Sequence, residues 1–239
     1  MEKKYILILC CIILCIIFLI YTFQKFYQNG KKFHSSDKNT VYYFSFNTPN
    51  DDIIDKCINC LIKYGTRLNP NKNFNNAKGI KMNYNLIKKY IPELIDFYLN
   101  SNLKKEIKKV FNTDIHFAPI SEQYRIFLRL YLENDFIDYH YDLNLTAGDR
   151  YTIVIPILVN DKNTSEFYVK DKNGGQLYKI PENSGILYNG TNTYHSISKQ
   201  SKGGLRLVVV IPMYTNYKMN LYAKARKYAR DLIYKNLTL

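Results

Sequence analysis

The sequence predicts an α+β fold in which helices flank a β-sandwich or β-barrel. In the second half of the chain, from about residue 124 to 214, short apolar stretches with the period of strands recur between the turn signals GG, PENSG and SKGG. In the first half, longer stretches repeat apolar residues at helical spacing instead. Because the strands do not alternate with helices, a doubly wound parallel sheet is disfavoured.

The first element of the chain is an apolar run from Tyr5 to Phe23, nineteen residues without a charge. At ~1.5 Å per residue, a helix of this length would measure about 28 Å, which is close to the thickness of the bilayer hydrocarbon core. A cleaved signal peptide is the alternative, but its apolar region would be shorter and would end in small residues. We therefore expect a transmembrane anchor over residues 1–24, and the lysines on both sides leave its orientation open.

The next segment, residues 40–119, is expected to form a helical support region that follows a polar linker at 25–39. Its first stretch, 40–46, has the pattern of a strand and ends at the turn-forming residues NTPNDD. Helical patterns follow at 51–65 and 85–111, and the second is broken at a proline and at an asparagine. These helices are expected to support the β-rich part of the chain.

Two of the five cysteines, Cys57 and Cys60, lie one helical turn apart in the stretch CINC. A four-thiolate zinc site would need a second pair of cysteines at a similar spacing, and the sequence has none. Buried thiols on the helix are therefore expected, with a local disulfide as the alternative.

Residues 120–216 are expected to form the β-rich core, and residues 217–239 a basic amphipathic helix. This helix is expected to pack against the sheet, with an anionic membrane surface as the alternative. The core contains seven strand patterns, at 124–132, 150–160, 165–169, 176–180, 185–189, 194–198 and 205–214.

The chain carries a formal net charge of +14, which raises the question of nucleic acid as a partner. The lysines are scattered along the chain and do not surround a nucleic-acid-binding motif. Solvated helix faces account for such a distribution, so nucleic acid is not expected as a partner.

Two of the four histidines fall in a pattern typical of metal sites. His140 and Asp142 lie two residues apart in DYHYDLNL, and in an extended segment both side chains would point to the same side. His195 follows on the predicted strand 194–198. Two imidazoles and one carboxylate, with other coordination positions open, form the ligand set of non-haem Fe(II) oxygenases. A hydrogen-bonded strand histidine is the alternative for His195.

A candidate anion-binding residue follows on the last strand, where Arg206 lies between Leu205 and Leu207 and shares a face with Val208 and Val210. Burying a guanidinium among apolar side chains is costly unless an anion meets it. A ligand with a carboxylate would supply that anion, because the planar fork of arginine matches a carboxylate in two hydrogen bonds. If the strand faces the other way, Arg206 is a solvated edge residue.

In this order, these features resemble the 2-oxoglutarate/Fe(II)-dependent dioxygenases, especially the prolyl-4-hydroxylase-like branch. Tyr131 lies nine residues before His140, the strand RYTIVIPIL follows the HxD motif, and PENSG supplies a Pro-x-x-Gly turn. Arg206 lies eleven residues after His195, where the family has a basic residue. The likeness covers residues 124–214 and implies a double-stranded β-helix, or jelly-roll, core.

The resemblance also implies roles for particular residues. His140, Asp142 and His195 would bind Fe(II). Arg206 would hold the distal carboxylate of 2-oxoglutarate, with Tyr131 as a hydrogen-bonding helper. The implied reaction consumes O₂ and 2-oxoglutarate and hydroxylates an organic or protein substrate.

The chain departs from the family pattern near the basic residue. Val208 stands where many members have a serine or threonine, and prolyl hydroxylases usually have lysine where this chain has Arg206. The family's arginine directly before the tyrosine is Leu130 here, although Arg129 lies beside it and on the same strand face as Tyr131. Arg129 is therefore either a second anion contact or part of a structural ion pair.

Together, these observations predict a single-pass membrane protein that acts as an Fe(II)/2-oxoglutarate-dependent dioxygenase near the bilayer. Its substrate is an unidentified protein side chain or other organic molecule, and the resemblance slightly favours the lumenal side of the membrane. The alternative is a membrane-tethered jelly-roll module that binds a glycan or peptide without turnover, because a fold does not dictate a function.

Overall fold

The computed structural model describes residues 41–70, 76–171, 174–219 and parts of 221–228. Between 41 and 219, the described residues form four helices and twelve strands, and all strand pairs are antiparallel. The helices are α1 (Asp51–Tyr64), α2 (Tyr84–Tyr90), α3 (Pro92–Leu99) and α4 (Leu103–Val110). The strands are β1 (Val41–Ser45), β2 (Thr66–Leu68), β3 (Ala77–Met82), β4 (His116–Phe117), β5 (Phe127–Tyr131), β6 (Phe136–His140), β7 (Arg150–Val159), β8 (Phe167–Asp171), β9 (Gly174–Tyr178), β10 (Ser184–Asn189), β11 (His195–Ile197) and β12 (Arg206–Tyr214).

Two helices, α1 and α2, begin at side-chain N-terminal caps, and α3 begins at a proline. The side chain of Asn50 accepts a hydrogen bond from the Ile53 backbone N–H at the start of α1, and α3 begins with Pro92 at its first turn. The helices predicted at 51–65 and 85–111 are confirmed, including both breaks. Cys57 and Cys60 are free thiols, as expected, and burial raises the pKa of Cys57 to about 12.

The strands form two sheets that share β3. One sheet has the order β1-β10-β7-β12-β5-β3, and β3 continues into the second, β3-β6-β11-β8-β9. Residues 80–82 of β3 pair with β5, whereas Ala77 and Lys78 pair with β6. Between them lies Gly79, at a φ of +154° that L side chains rarely adopt, so glycine permits the turn from one sheet into the other. This curled, strand-rich arrangement agrees with the predicted jelly-roll core.

The sheet that contains β12 is covered on both sides. We call the apolar layer between this sheet and the helices the outer core; Leu61 on α1, Ile87 on α2 and Val209 on β12 belong to it. We call the layer between the two sheets the inner core; it includes Phe167 on β8 and Val208 on β12. Successive residues of a strand point to opposite faces, so β12 contributes to both cores and is buried over its whole length.

The structure adds strands that the sequence patterns do not predict: β2, β3, β4 and β6. Segment 40–119, expected to be a helical support region after the strand at 40–46, therefore supplies β2, β3 and β4 in addition to that strand and its helices. β3, with the sequence AKGIKM, contains a glycine and two lysines, so it lacks the apolar alternation of a typical strand. β6 carries the first histidine of the HxD pair and is predicted only as an extended segment.

No helix within the described ranges is long and apolar enough to cross a membrane. The predicted anchor at 1–24 and linker at 25–39 lie outside those ranges, as does most of the predicted C-terminal helix. Its described residues between 221 and 228 are helical and contact the rest of the protein. Ala223 is buried, and the Lys227 ammonium lies 3.4 Å from the buried Glu122 carboxylate.

Candidate metal centre and anion pocket

The three predicted metal ligands lie close together beside the inner core. His140 ends β6, His195 begins β11, and the two residues are direct partners in the antiparallel pairing of these strands. Their ring centroids are 4.3 Å apart. With Asp142, two residues beyond His140, they offer one ligand atom each, and all these atoms lie within 4.8 Å of one another. Such a group can coordinate a single ion.

Backbone carbonyls orient both imidazoles. His140 Nδ1 lies 2.8 Å from the Asp138 carbonyl oxygen, and His195 Nδ1 lies 2.9 Å from the Thr193 carbonyl oxygen. A hydrogen on each Nδ1 satisfies these bonds and leaves Nε2 as the nitrogen with a free lone pair. Burial lowers the pKa of His140 to about 3 and also lowers the pKa of His195. Both rings are therefore neutral at pH 7, the state that binds metal.

Asp142 is held by two contacts to its carboxylate and one to its backbone. The Thr152 hydroxyl donates to its Oδ2, and an Arg150 nitrogen lies 3.7 Å from the same oxygen. The Asp142 backbone N–H donates to the Gly190 carbonyl oxygen over 2.8 Å. Burial by itself would raise the pKa of this carboxyl, but Arg150 and the two histidines outweigh burial and hold the pKa well below its usual range. Asp142 is thus an anion oriented toward the histidines.

Gly190 makes room for this carboxylate. A Cβ atom at position 190 would come within 2.8 Å of both Asp142 Cβ and Thr152 Oγ1, closer than real side chains approach. Gly190 and Arg150 are also joined by a backbone hydrogen bond of 2.9 Å. The turn after β10 therefore leaves room for the Asp142 side chain, because residue 190 has no side chain of its own.

Tyr188 on β10 is a further buried group at the centre. Its hydroxyl lies 3.1 Å from His195 Nε2, and because Nδ1 carries the hydrogen, the hydroxyl donates to Nε2. Burial raises the pKa of Tyr188, so the phenol stays protonated at neutral pH. A metal ion bound to Nε2 requires this hydroxyl to turn to another acceptor.

Arg206 faces the inner core. This is the buried orientation that the sequence predicts, in place of the solvated one given as its alternative. It is 3% exposed, it pairs with Tyr131 across β12 and β5, and its guanidinium carbon lies 5.9 Å from the Tyr131 ring centroid. Nη1 of Arg206 is buried without a hydrogen-bond partner among the described residues. Burial lowers the pKa of this group. The alternative of a solvated edge residue is wrong, and the unsatisfied donor indicates a position for an anion.

The residues present fit Fe(II) and 2-oxoglutarate. Two neutral imidazoles and one carboxylate make up the facial ligand set of non-haem iron oxygenases. The buried guanidinium of Arg206, whose Nη1 has no partner among the described residues, is the donor that a distal carboxylate needs. The structure thus brings the five predicted residues to one interior; the role of each as a ligand stays a prediction.

Sequence reasoning missed four neighbours of the metal centre: Arg150, Thr152, Tyr188 and Gly190. Thr152 stands in the threonine-containing apolar strand that the family resemblance includes, so period-2 alternation could have placed it on the inner face. Gly190 lies in an Asn-Gly pair just after a predicted strand, which indicates a turn and no more. Arg150 and Tyr188 carry no signal that separates them from the chain's many other basic and tyrosine residues.

Comparison with solved structures identifies the architecture. An oxidoreductase of the 2OG-Fe(II) oxygenase family from Burkholderia pseudomallei is 12% identical, covers 72% of this chain and 83% of its own, and has a TM-score of 0.51. The chain has the fold of these oxygenases. The α-ketoglutarate-dependent epimerase SnoN of nogalamycin biosynthesis is 9% identical over 75% of this chain and 79% of its own, with a TM-score of 0.52. The predicted resemblance is therefore confirmed for the fold.

A third similar structure was solved with ligands. HygX from Streptomyces hygroscopicus, with nickel, 2-oxoglutarate and hygromycin B bound, is 7% identical over 74% of this chain and 84% of its own, with a TM-score of 0.51. Prolyl hydroxylases also match, with TM-scores of 0.43 to 0.49. No protein-family model matches the chain, and no curated protein matches its sequence.

Proposed function

We propose that this protein is a non-haem Fe(II)- and 2-oxoglutarate-dependent dioxygenase. The observation that carries the proposal is the convergence of His140, Asp142 and His195 within 4.8 Å in an interior that also buries Arg206, whose Nη1 has no hydrogen-bond partner among the described residues. A buried guanidinium without an anion lowers the stability of the fold, so stability alone does not explain the position of Arg206. HygX, which has a similar fold and was solved with nickel and 2-oxoglutarate bound, supports a metal ion and 2-oxoglutarate as ligands here.

The residues would divide the work as follows. His140, Asp142 and His195 would hold Fe(II), Arg206 would hold the distal carboxylate of 2-oxoglutarate, and Tyr131 would orient that carboxylate. When bound, iron and 2-oxoglutarate supply the oxidising chemistry that places one oxygen atom of O₂ in a C–H bond and the other in succinate, with release of CO₂. The inner core would enclose this reaction and limit the access of water.

For the substrate we propose an organic or protein molecule, with a protein side chain favoured by the sequence resemblance to prolyl hydroxylases. The apolar run from Tyr5 to Phe23 would anchor the enzyme in a membrane, with the catalytic part on the lumenal side. Support for the anchor comes from the length and composition of that run.

The test follows succinate release by the purified full-length chain in detergent, supplied with ferrous iron, 2-oxoglutarate and O₂. We expect release by the wild type and release at the background level for His140→Ala, because the variant lacks a metal ligand. The matched control is His116→Ala, since this histidine is more than half exposed and pairs with Asp114 away from the metal centre. The control should release succinate like the wild type.

The alternative, a binding module without turnover, makes the opposite prediction. It requires that the wild type release no succinate, or that His140→Ala and the wild type behave alike. Iron content of the same samples, measured by atomic absorption, separates a protein that holds no metal from one that holds metal without turnover.

A further inference from the structure

A second arginine faces the same interior as Arg206. Arg129 lies two residues before Tyr131 on β5, so both side chains point to the inner face. The Arg129 guanidinium carbon is 6.0 Å from the Tyr131 ring centroid, and its Nη1 lies 3.5 Å from the Tyr131 hydroxyl oxygen. Since Arg206 is 5.9 Å from the same ring, Tyr131 is flanked by two cations.

No carboxylate of the described residues pairs with either arginine. The part of the chain that the structure describes holds ion pairs for Arg67 and Arg150, but none for Arg129 or Arg206. Among the described residues, Nε of Arg129 is buried without a hydrogen-bond partner, as is Nη1 of Arg206. The structural ion pair that the sequence left open for Arg129 is therefore absent from the described residues. The two guanidiniums lie around one ring and repel each other, and an anion between them would relieve this repulsion.

The pairing of the strands shows where Arg129 acts. Arg129 is the direct cross-strand partner of Val208, the position at which many members of the resembled family carry a hydroxyl. Side chains of direct partners on one face lie about 5 Å apart at Cβ. The Arg129 side chain thus stands beside the place where that hydroxyl is missing. Its long stem and fork bring several donors toward the same part of the pocket.

We propose that Arg129 is a second anchor for the distal carboxylate of 2-oxoglutarate, so that Arg206 and Arg129 clamp this group across the Tyr131 hydroxyl. The inference rests on the proposed function and names a ligand-binding residue in it. A carboxylate has about four lone-pair sites, enough for donors from both guanidiniums and from the phenol. Both arginines converge on Tyr131, whereas the Asp142 carboxylate is paired by Arg150.

The experiment compares two 2-oxo acids that differ only in the distal group. 2-Oxopentanoate has the chain length of 2-oxoglutarate but ends in a methyl group, so it can chelate a metal and cannot engage a distal anchor. Both acids are titrated calorimetrically, without oxygen, into the Fe(II)-loaded full-length protein. For Arg129→Met we expect 2-oxoglutarate to bind roughly ten- to a hundredfold more weakly, and 2-oxopentanoate to bind as it does to the wild type.

Two further variants separate a specific contact from a change in charge. Lys81 is a direct cross-strand neighbour of Arg129 and also carries a positive charge. Lys81→Met removes that charge and should change the affinity for 2-oxoglutarate less than about threefold. Arg129→Lys keeps the charge but loses the planar fork, so it should fall between the wild type and Arg129→Met. Thermal melting of each protein verifies that it is folded.

Three outcomes would overturn the proposal. If Arg129→Met weakened the binding of both acids equally, Arg129 would act near the 1-carboxylate or the metal. If the binding of both acids were unchanged, Arg129 would take no part in 2-oxoglutarate binding. If Lys81→Met weakened 2-oxoglutarate binding as much as Arg129→Met does, the effect would come from long-range charge and not from a specific contact. If the iron-loaded wild type binds no 2-oxoglutarate, the proposed function itself fails, a result distinct from the failure of Arg129 alone.

Discussion

The two faces of β12 are equally buried, yet they hold different kinds of side chain. On the outer face, Leu207, Val209 and Ile211 pack into the outer core beneath the helices. On the inner face, Val208 and Val210 share their row with Arg206, whose guanidinium has no ion-pair partner among the described residues. Burial stabilises the first group by about 25 cal/mol per Å² of apolar surface, whereas it destabilises a lone cation. Burial alone therefore does not separate the residues that stabilise this fold from those available to bind a ligand.

The largest effect on stability is expected in the outer core. Leu61→Ala, at a fully buried position on α1, should lower the free energy of unfolding by about 2–5 kcal/mol, because it removes apolar contacts and leaves a cavity. Its neighbour Ile62 is 62% exposed, so Ile62→Ala should change the free energy by less than about 0.5 kcal/mol. Urea unfolding measures both. A loss of 2-oxoglutarate binding by folded Leu61→Ala would contradict the separation of the two faces.

An intermediate effect, of the opposite kind, is expected for Arg206→Met. Methionine fills a similar volume without a charge, so the free energy of unfolding should stay the same or rise. Binding of 2-oxoglutarate should weaken by about 1.5–3 kcal/mol, the contribution of a hydrogen bond to a charged group. Urea unfolding and calorimetric titration of the same preparation check both. Marked destabilisation would show that Arg206 is a structural residue and would remove the contrast between the faces.

The smallest effect is expected around Asp142. Thr152→Val keeps the shape of the side chain but deletes the hydroxyl that donates to Asp142 Oδ2. We expect metal affinity to fall about tenfold, as is usual when a group that orients a metal ligand is lost. Thr152→Ser retains the hydroxyl and should restore most of the affinity. Fe(II) titration with a competing chelator measures it, and equal affinity of the valine variant would show that Asp142 needs no support from β7.

The elements that the sequence predicts well are those with a strong local period. Helix α1 and strand β12 show clear apolar repeats and were predicted within one or two residues. Strands β3 and β6 lack such repeats, and they are strands because neighbouring strands pair with them on both sides. The turn at Gly79, where β3 passes from one sheet to the other, likewise depends on partners distant in sequence.

The candidate site divides in the same way. His140, Asp142, His195 and Arg206 were predictable because their order and spacing form a pattern along the chain. The groups that orient them were not, because Thr152 and Gly190 reach Asp142 from β7 and from the turn after β10. The fold could be matched to oxygenases through the structure, whereas sequence comparison found no family model.

By itself, the sequence determined which residue types the chain can bring to a metal and an anion, and on which strand each would lie. Tertiary structure decided the face. Alternation along a strand leaves two orientations for Arg206, related by a one-residue change of register, and only packing against the helices selects the inner one. The same packing places Arg129 and Arg206 beside Tyr131, and no carboxylate of the described residues pairs with either arginine. The sequence alone could not show this, because the strands that carry these residues become neighbours only in the folded sheet.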